Sequence, residues 1–138
     1  MTATPWQPPE PGDIVWFRLP YLPSRAPGPK PRPALVLAVE VRDDGVVVQV
    51  AYGTSQNLGR LKVGEFAIAQ ANNRVAYALA GLSFDTKFDL ELKIDLPWTD
   101  EFFAVPPMPR HGQTPKLGTL HASLMMALRA THDAEQGR

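Results

Sequence analysis

Much of the chain consists of short stretches, each about as long as a β-strand, that are either apolar or alternate between apolar and polar residues. Four of them are rich in β-branched and aromatic residues and are bounded by turn-forming residues, a pattern typical of strands in a small sheet. They cover residues 13–19, 34–41, 46–52 and 65–69. Between the second and third, the sequence Arg-Asp-Asp-Gly predicts a tight hairpin turn, because Gly45 adopts a positive φ without strain.

The middle of the chain gives one clear prediction and one ambiguous one. From Phe88 to Ile94 every second residue is apolar and the residues between them are charged. Such alternation is typical of an antiparallel strand with one buried face, so we expect the apolar residues of this stretch to share that face. Residues 71–82 fit either a helix or a strand, and a short strand around Val75–Leu79 is favoured.

Near its end the chain predicts a helix over residues 114–132. Four leucines recur there at steps of three and four residues: Leu117, Leu120, Leu124 and Leu128. This spacing places them on one helical face. Thr114 followed by Pro115 is a suitable N-cap and first helical position, and Thr119 is an alternative start.

These elements predict a mainly β fold with a minor α part. At 138 residues the chain fits one domain, which buries a core without disulfides or metals. Many short strands followed by one amphipathic helix favour a small, strongly curved sheet or barrel with the helix covering one apolar face.

Composition excludes several classes of chemistry. The chain has no cysteine, which rules out disulfide scaffolds, thiolate metal sites and a cysteine nucleophile. It has no P-loop, dinucleotide-binding, nucleophile-elbow or zinc-protease motif. The three histidines, His111, His121 and His132, are too scattered to suggest a metal site, and His121 is expected to be structural or exposed. No signal peptide and no membrane span is expected. The lack of cysteine fits a reducing cytoplasm, which is the expected location.

Charge is distributed unevenly, although the formal net charge is zero. Between Asp13 and Glu40 the chain carries four cations and no acid, a local charge of +4. Residues 84–102 carry six acids and two lysines, a local charge of −4. A neutral protein with this arrangement can bind an anion on one face through local charge placement.

Arg32 has an unusual position within the basic stretch. Ten of the fifteen prolines lie in residues 1–33, and Arg32 stands between Pro31 and Pro33. Residues 20–33 are therefore expected to form a long, semi-rigid loop that is neither helix nor inner strand. Arg32 is either a solvated turn residue, with Glu10 and Asp13 as acids for it to pair with, or a guanidinium positioned to bind a phosphate.

A second polar stretch follows the third strand. Thr54, Ser55, Gln56 and Asn57 form either an ordinary turn or a group of donors able to bind an oxyanion. The two hairpin strands have nearly equal arms, so folding them about Asp44 brings Arg32 and Thr54–Ser55 to the same end. A cation and two hydroxyls at one point suit a phosphodiester, without any metal or cofactor.

With these residues in place, the chain resembles the MazF/PemK (Kid-like) toxins of bacterial toxin–antitoxin pairs. The similarity rests on Gly-Asp-Ile-Val-Trp at 12–16, Arg-Pro-Ala-Leu-Val at 32–36 and the hydroxyl pair at 54–55, in that order. It covers roughly residues 11–69, half of the chain. The proline-rich loop differs from typical members, and the region 70–109 looks like a distinct branch.

The resemblance implies an SH3-like barrel, a homodimer and a metal-independent endoribonuclease. Such enzymes cut single-stranded RNA at short sequences by attack of the 2′-hydroxyl, arrest growth, and are neutralised by a cognate antitoxin protein. Arg32 would match the catalytic arginine and Thr54 the catalytic hydroxyl. An acidic general base has no clear counterpart, and Asp85 is a weak candidate.

Four further residues are expected to contact RNA because of their positions along the chain: Ser55, Gln56, Lys30 and Arg25.

The chain is predicted to be one domain. It would consist of an extended lead-in (residues 1–11), a MazF-like core (12–69), a divergent strand region (70–109) and a C-terminal helix (114–132).

The alternative is a non-catalytic binding module on the same fold. It would inhibit a protein target, as gyrase poisons with a related fold do, or serve as an inactive regulatory relative. Its working surface would be the acidic segment 84–102 with Trp98 and Phe102 exposed, whereas the competing interpretation of these aromatic residues is core packing.

Overall fold

The structure is a computed structural model that describes residues 6–18 and 31–136. The strands are β1 (Asp13–Arg18), β2 (Pro31–Arg42), β3 (Gly45–Thr54), β4 (Glu65–Ile68), β5 (Thr86–Pro97) and β6 (Lys116–Thr119). The helices are α1 (Arg74–Leu79), a 3₁₀ turn (Ala122–Leu124) and α2 (Met125–Gln136).

All six strands belong to one antiparallel sheet. The spatial order is β4-β5-β3-β2-β1-β6. A mainly β fold with a C-terminal helix is thus confirmed. Within the described ranges no pairing joins the two edge strands, β4 and β6, so by its hydrogen bonds the sheet is open rather than closed into a barrel.

The central hairpin matches its prediction closely. Its strands β2 and β3 pair from Arg42–Gly45 at the turn to Ala34–Tyr52 at the far end. Gly45 has φ 143°, a conformation that strains any other residue. The pairing shifts by one residue between Val36 and Ala38, which is a β-bulge that bends the hairpin.

The prediction that residues 20–33 form a loop is wrong at its end, because β2 begins at Pro31. Residues 19–30 lie outside the described residues. Pro31 and Pro33 pair with Arg18 and Trp16 of β1, whereas the ladder to β3 starts only at Ala34. The prolines therefore occupy a part of β2 that has a neighbour on one side, where a missing N–H is tolerated.

The sheet buries apolar side chains on both faces. One cluster contains Ile14, Leu35 and Ala51 together with residues from β4, from the turn after α1 and from β5. The other contains Val15, Ala34 and further residues from β3, β5 and the segment after it. Neighbouring residues of one strand fall in different clusters because side chains alternate across a sheet.

Strand β5 is longer than predicted and changes face halfway. Residues 89–92 of β5 lie opposite Tyr52 alone, because Ala51 pairs with Lys93 and Gly53 with Phe88. This large bulge breaks the alternation. Phe88 contributes to the first cluster and Ile94 packs against the second, so the prediction that they share a face is wrong.

Trp98 follows β5 and is a core residue. Its side chain is 1% exposed, its ring lies 4.6 Å from that of Phe103, and its Nε1 donates to the Gln7 carbonyl at 3.0 Å. Phe102 is half-buried against the same cluster. Core packing of these aromatic residues is confirmed. The binding-module alternative expected Trp98 and Phe102 to be exposed, and that expectation is wrong.

The favoured strand at Val75–Leu79 is wrong, because this stretch is the helix α1. Asn73 caps it by accepting the Ala76 N–H at 3.0 Å, and the Asn73 amide also donates to Ser123 at 3.1 Å. Ala76 is buried, and Tyr77 packs against the first cluster. The asparagine N-cap and the small, buried Ala76 in the first turn favour a helix here.

The predicted helix over 114–132 is wrong in its first half. Residues Lys116–Thr119 form β6, which pairs with the outer edge of β1, and neither Thr114 nor Thr119 is an N-cap. His121 caps the 3₁₀ turn by accepting the Ser123 N–H at 3.0 Å, so its structural role is confirmed. The four leucines nevertheless all belong to the first cluster or pack against it. Leu117 does so from β6, Leu120 from the residue after β6, Leu124 from the 3₁₀ turn and Leu128 from α2.

Among the described residues no helix has the length and apolar character needed to cross a membrane.

Candidate functional site

A groove of about 1130 Å³ opens at the end of the central hairpin opposite its turn. Its walls come from the ends of β1, β2 and β3, from α1 with the turn that follows it, and from the segment between β5 and β6. Arg32, Thr54, Ser55 and Gln56 all line it, so the structure brings together the four predicted site residues that it describes.

Arg32 lies at the rim of the groove and is exposed. In the sheet it is paired with Phe17, and the flanking Pro31 and Pro33 also line the groove. Among the described residues Arg32 forms no ion pair with Asp13 or Glu10. The Asp13 carboxylate instead lies 3.5 Å from Lys116 Nζ and accepts the Glu10 N–H at 3.0 Å. The guanidinium is thus presented to the groove on a backbone that prolines stiffen.

Thr54 is the last residue of β3 and is half-buried. Its Oγ1 accepts the Gln56 N–H at 3.2 Å, which fixes the turn that begins there. A hydroxyl that accepts in this way still has its own proton to donate. Ser55 and Gln56 are exposed beside it, so hydroxyl and amide donors cluster where β3 ends.

Three further cations line the groove: Arg74, Arg110 and Lys116. The geometry of the hairpin did not predict them. Arg74 is the first residue of α1, Arg110 lies in the segment between β5 and β6, and Lys116 is the first residue of β6. A sequence signal existed for the last two, since residues 102–132 contain no acid. Arg74 gave no such signal, because its position depends on how α1 packs.

The described lining contains no aspartate or glutamate. Of its four cations, Lys116 is partly neutralised by Asp13 at 3.5 Å. Low-dielectric walls around charges of one sign concentrate their field, so the groove attracts anions even though the whole chain is neutral.

Aromatic side chains accompany these cations. Trp16, Tyr77 and Phe84 line the groove, and Phe84 is 72% exposed. An exposed aromatic ring beside arginines suits stacking with nucleobases, which is sequence-tolerant because every base has a π-face. This combination is typical of single-stranded nucleic-acid sites.

Other predicted residues are not in this group. Lys30 and Arg25 lie outside the described residues. Asp85 is not among the groove-lining residues, and its Oδ1 accepts the Gln70 N–H at 2.9 Å. It therefore holds the backbone of Gln70, which lines the groove, and is not itself part of the lining.

A second cavity, of about 630 Å³, has a different character. It is lined by the N-terminal segment, Trp98 and the residues before β6, and it contains the acids Glu10 and Asp13. Lys116 borders both cavities. The carboxylates make this second cavity a poor place for a phosphate, so an anion is directed to the groove.

The chemistry available in the groove is that of cations and hydroxyl donors. In the part of the chain that the structure describes, no three acidic or histidine side chains are grouped to hold a metal ion. Comparison of the chain with protein-family models and with curated protein sequences found no match.

Proposed function

We propose that the groove binds single-stranded RNA and that the protein is a metal-independent endoribonuclease of the MazF/PemK type. The observation that carries this proposal is that Arg32 and Thr54 line one groove with three more cations, while no acid occurs in its described lining. The sequence resemblance supplies the reaction, and the groove's charge and aromatic residues fit its substrate.

The proposed reaction is an internal transfer at phosphorus. The 2′-hydroxyl attacks the adjacent phosphate and loses its proton to water, the bond to the 5′-oxygen breaks, and that oxygen takes up a proton from water. The products are a 2′,3′-cyclic phosphate and a free 5′-hydroxyl. No oxidant, metal or cofactor enters the balance.

Arg32 and Thr54 have separate roles in this reaction. A guanidinium keeps its protons, so Arg32 acts as a charge stabiliser that binds two non-bridging phosphate oxygens. Thr54 donates its hydroxyl hydrogen to the same phosphate as negative charge accumulates. The prolines beside Arg32 lower the entropy lost when the guanidinium engages the phosphate.

Binding of the RNA strand relies on the rest of the groove. Arg74, Arg110 and Lys116 contact neighbouring phosphates, and Tyr77 and Phe84 stack with bases. Ser55 and Gln56 contribute hydrogen bonds at the scissile position. Lys30 and Arg25, which precede β2 in the chain and lie outside the described residues, are proposed as further phosphate contacts because of their charge.

The same proposal makes the protein a growth-arresting toxin of a toxin–antitoxin pair. It acts as a homodimer in the cytoplasm and is neutralised by a cognate antitoxin. Expression of the chain alone should arrest growth, and co-expression of the neighbouring gene product should relieve the arrest.

The deciding experiment is RNA cleavage in the presence of EDTA, with wild type beside Arg32→Ala. Discrete cuts that leave cyclic-phosphate ends and disappear in the variant support the proposal. Cleavage that persists in Arg32→Ala shows that the site assignment is wrong. A folded wild-type protein that cuts no RNA overturns the enzymatic function and favours the non-catalytic binding module.

A further inference from the structure

The loop that carries the groove's hydroxyl and amide donors is held by hydrogen bonds from a buried side chain. Residues 55–64 connect β3 to β4, with Asn57 at a positive φ of 56° and the Arg60 N–H bonded to the Asn57 carbonyl at 3.2 Å. The loop's exposed side chains include Ser55 and Gln56 of the proposed site. Its conformation therefore determines where these donors lie.

Lys87 holds this loop from the interior. Its Nζ donates to the carbonyls of Asn57 at 3.1 Å and Arg60 at 3.2 Å, and it lies 3.0 and 3.2 Å from the two carboxylate oxygens of Glu65. An ammonium has three donors, and these contacts use all of them. Lys87 is therefore not available to bind substrate.

The pair that Lys87 forms with Glu65 is buried. The two side chains are 7% and 8% exposed, and Glu65 also accepts the Lys62 N–H at 2.7 Å. In the sheet, Lys87 is the direct partner of Thr54 on β3 and of Ala67 on β4. The ion pair thus lies next to the strand end that presents Thr54.

We propose that Lys87 and Glu65 are positioning residues, whose buried ion pair fixes the loop after Thr54 so that its donors meet the scissile phosphate. This inference rests on the proposed ribonuclease function. Two apolar side chains of similar size would fill the same volume, but they would remove the hydrogen bonds that Lys87 Nζ donates to the Asn57 and Arg60 carbonyls. The pair serves the loop's geometry, because buried ion pairs contribute little net stability over apolar replacements.

The test is the double variant Lys87→Met/Glu65→Leu, which removes both charges and keeps apolar volume. Its matched control is Arg42→Met/Glu40→Leu, which removes an exposed ion pair in the hairpin, with side chains 50% and 64% exposed. Amide hydrogen exchange of residues 55–62 reports the loop whether or not the protein cuts RNA. Steady-state cleavage kinetics report positioning.

We expect faster exchange in the loop and a fall in kcat of about 100-fold, the loss typical of small misplacements of reacting groups. KM should change little, because the cations that bind the strand remain. The control should match wild type in both measurements. Unchanged loop exchange in a folded double variant overturns the proposal, and so does loosened exchange with unchanged kcat.

Two results separate this inference from the proposed function. If wild type cuts no RNA, the ribonuclease proposal fails, and the exchange measurement still decides whether the pair holds the loop. If the double variant does not fold, Glu65→Gln replaces it, because glutamine keeps the size and one acceptor without the charge. That variant should show the same two changes to a smaller degree, and wild-type behaviour in both would overturn the proposal.

Discussion

Arg32 and Thr54 lie at the open end of one hairpin, each two residues beyond the Ala34–Tyr52 pair that ends the ladder between β2 and β3. Both line the same groove, although 21 residues of chain separate them. The register of this hairpin brings both residues to the same end of the sheet, where Arg32 pairs with Phe17 of β1 and Thr54 with Lys87 of β5.

Arg32→Lys tests the geometry of the cation separately from its charge. Lysine keeps the charge but loses the planar, two-pronged donor, so cleavage should fall while RNA affinity stays close to wild type. Arg32→Ala should lose about 100- to 1000-fold in kcat, the range seen when one transition-state donor is removed. Thermal melting should be unchanged in both, because Arg32 is exposed. Full activity of the lysine variant would contradict a two-pronged contact.

Thr54→Val tests the hydroxyl donor without changing the shape of the side chain. Valine cannot donate to the phosphate or accept the Gln56 N–H, so kcat should fall by about 100-fold. Thr54→Ser keeps both hydrogen bonds and should retain most of the activity. The measurement is kcat for each variant on one RNA, with circular dichroism as the folding control. Equal activity of the valine and serine variants would remove Thr54 from the reaction.

The sequence predicts this site better than it predicts the frame around it, and the reason is the range of the interactions. Alternation and Gly45 define the hairpin locally, which is enough to bring Arg32 and Thr54 together. The stretch 74–79 suits a strand as well as a helix by its pattern, and the helix is supported by Tyr77 packing on the first cluster and by the bond from Asn73 to Ser123, fifty residues away. Long-range contacts of this kind leave no pattern along the chain.

Other side chains in or near the groove depend on packing that the hairpin does not define. Arg74 reaches the groove only because α1 packs behind it, and Lys87 meets Glu65 only where β4 pairs with β5. Lys87 shares the alternating positions of Asp89 and Glu91, which predict an exposed face. Nothing in that pattern distinguishes the buried lysine from its neighbours.

Gly118→Ala tests the close approach of β6 to the end of α1. A Cβ on Gly118 would lie far inside van der Waals contact with the Leu79 carbonyl oxygen, which is backbone and has no free rotation. Overpacking of this kind destabilises by about 1–3 kcal/mol. That corresponds to a drop in Tm of about 4 °C for each kcal/mol.

The matched control for this change is Gly59→Ala. A Cβ on Gly59 meets no atom within 4 Å, so its Tm should stay close to that of wild type. Denaturant unfolding of both variants provides the free energies. An equal Tm for the two variants would mean that β6 can move away from α1 freely.

Glu65 gives the fold a dependence on acid pH. Burial alone would raise the pKa of its carboxyl, but the Lys62 N–H and the hydrogen bond and charge of Lys87 outweigh burial and hold that pKa below its ordinary value of 4.5. A folded-state pKa below the unfolded value contributes stability that is present above about pH 4.5 and is lost as pH falls through the folded pKa. Wild type should therefore exceed Glu65→Gln in unfolding free energy at neutral pH, with the difference shrinking on acidification.

A comparison with Glu40 makes this pH effect specific. The exposed Arg42 ion pair also lowers the pKa of Glu40, chiefly through their hydrogen bond. Because both side chains are solvated, salt screens this pair and Glu40→Gln should change stability little at any pH. Denaturant unfolding at several pH values measures both variants. A pH-independent difference between wild type and Glu65→Gln would show that Glu65 acts through packing alone.

Arg74 and Arg110 test whether the groove carries the phosphate contacts. A 2′-O-methyl RNA cannot be cut by internal attack, so it reports binding alone. Each cation that contacts a phosphate adds about 0.7 to the slope of log affinity against log salt for a single strand. Arg74→Ala and Arg110→Ala should each lower that slope by about this amount, whereas Arg129→Ala on α2, outside the groove lining, should leave it unchanged. If all three variants keep the wild-type slope, the RNA binds elsewhere on the protein. If only Arg129→Ala lowers the slope, the binding surface lies on α2.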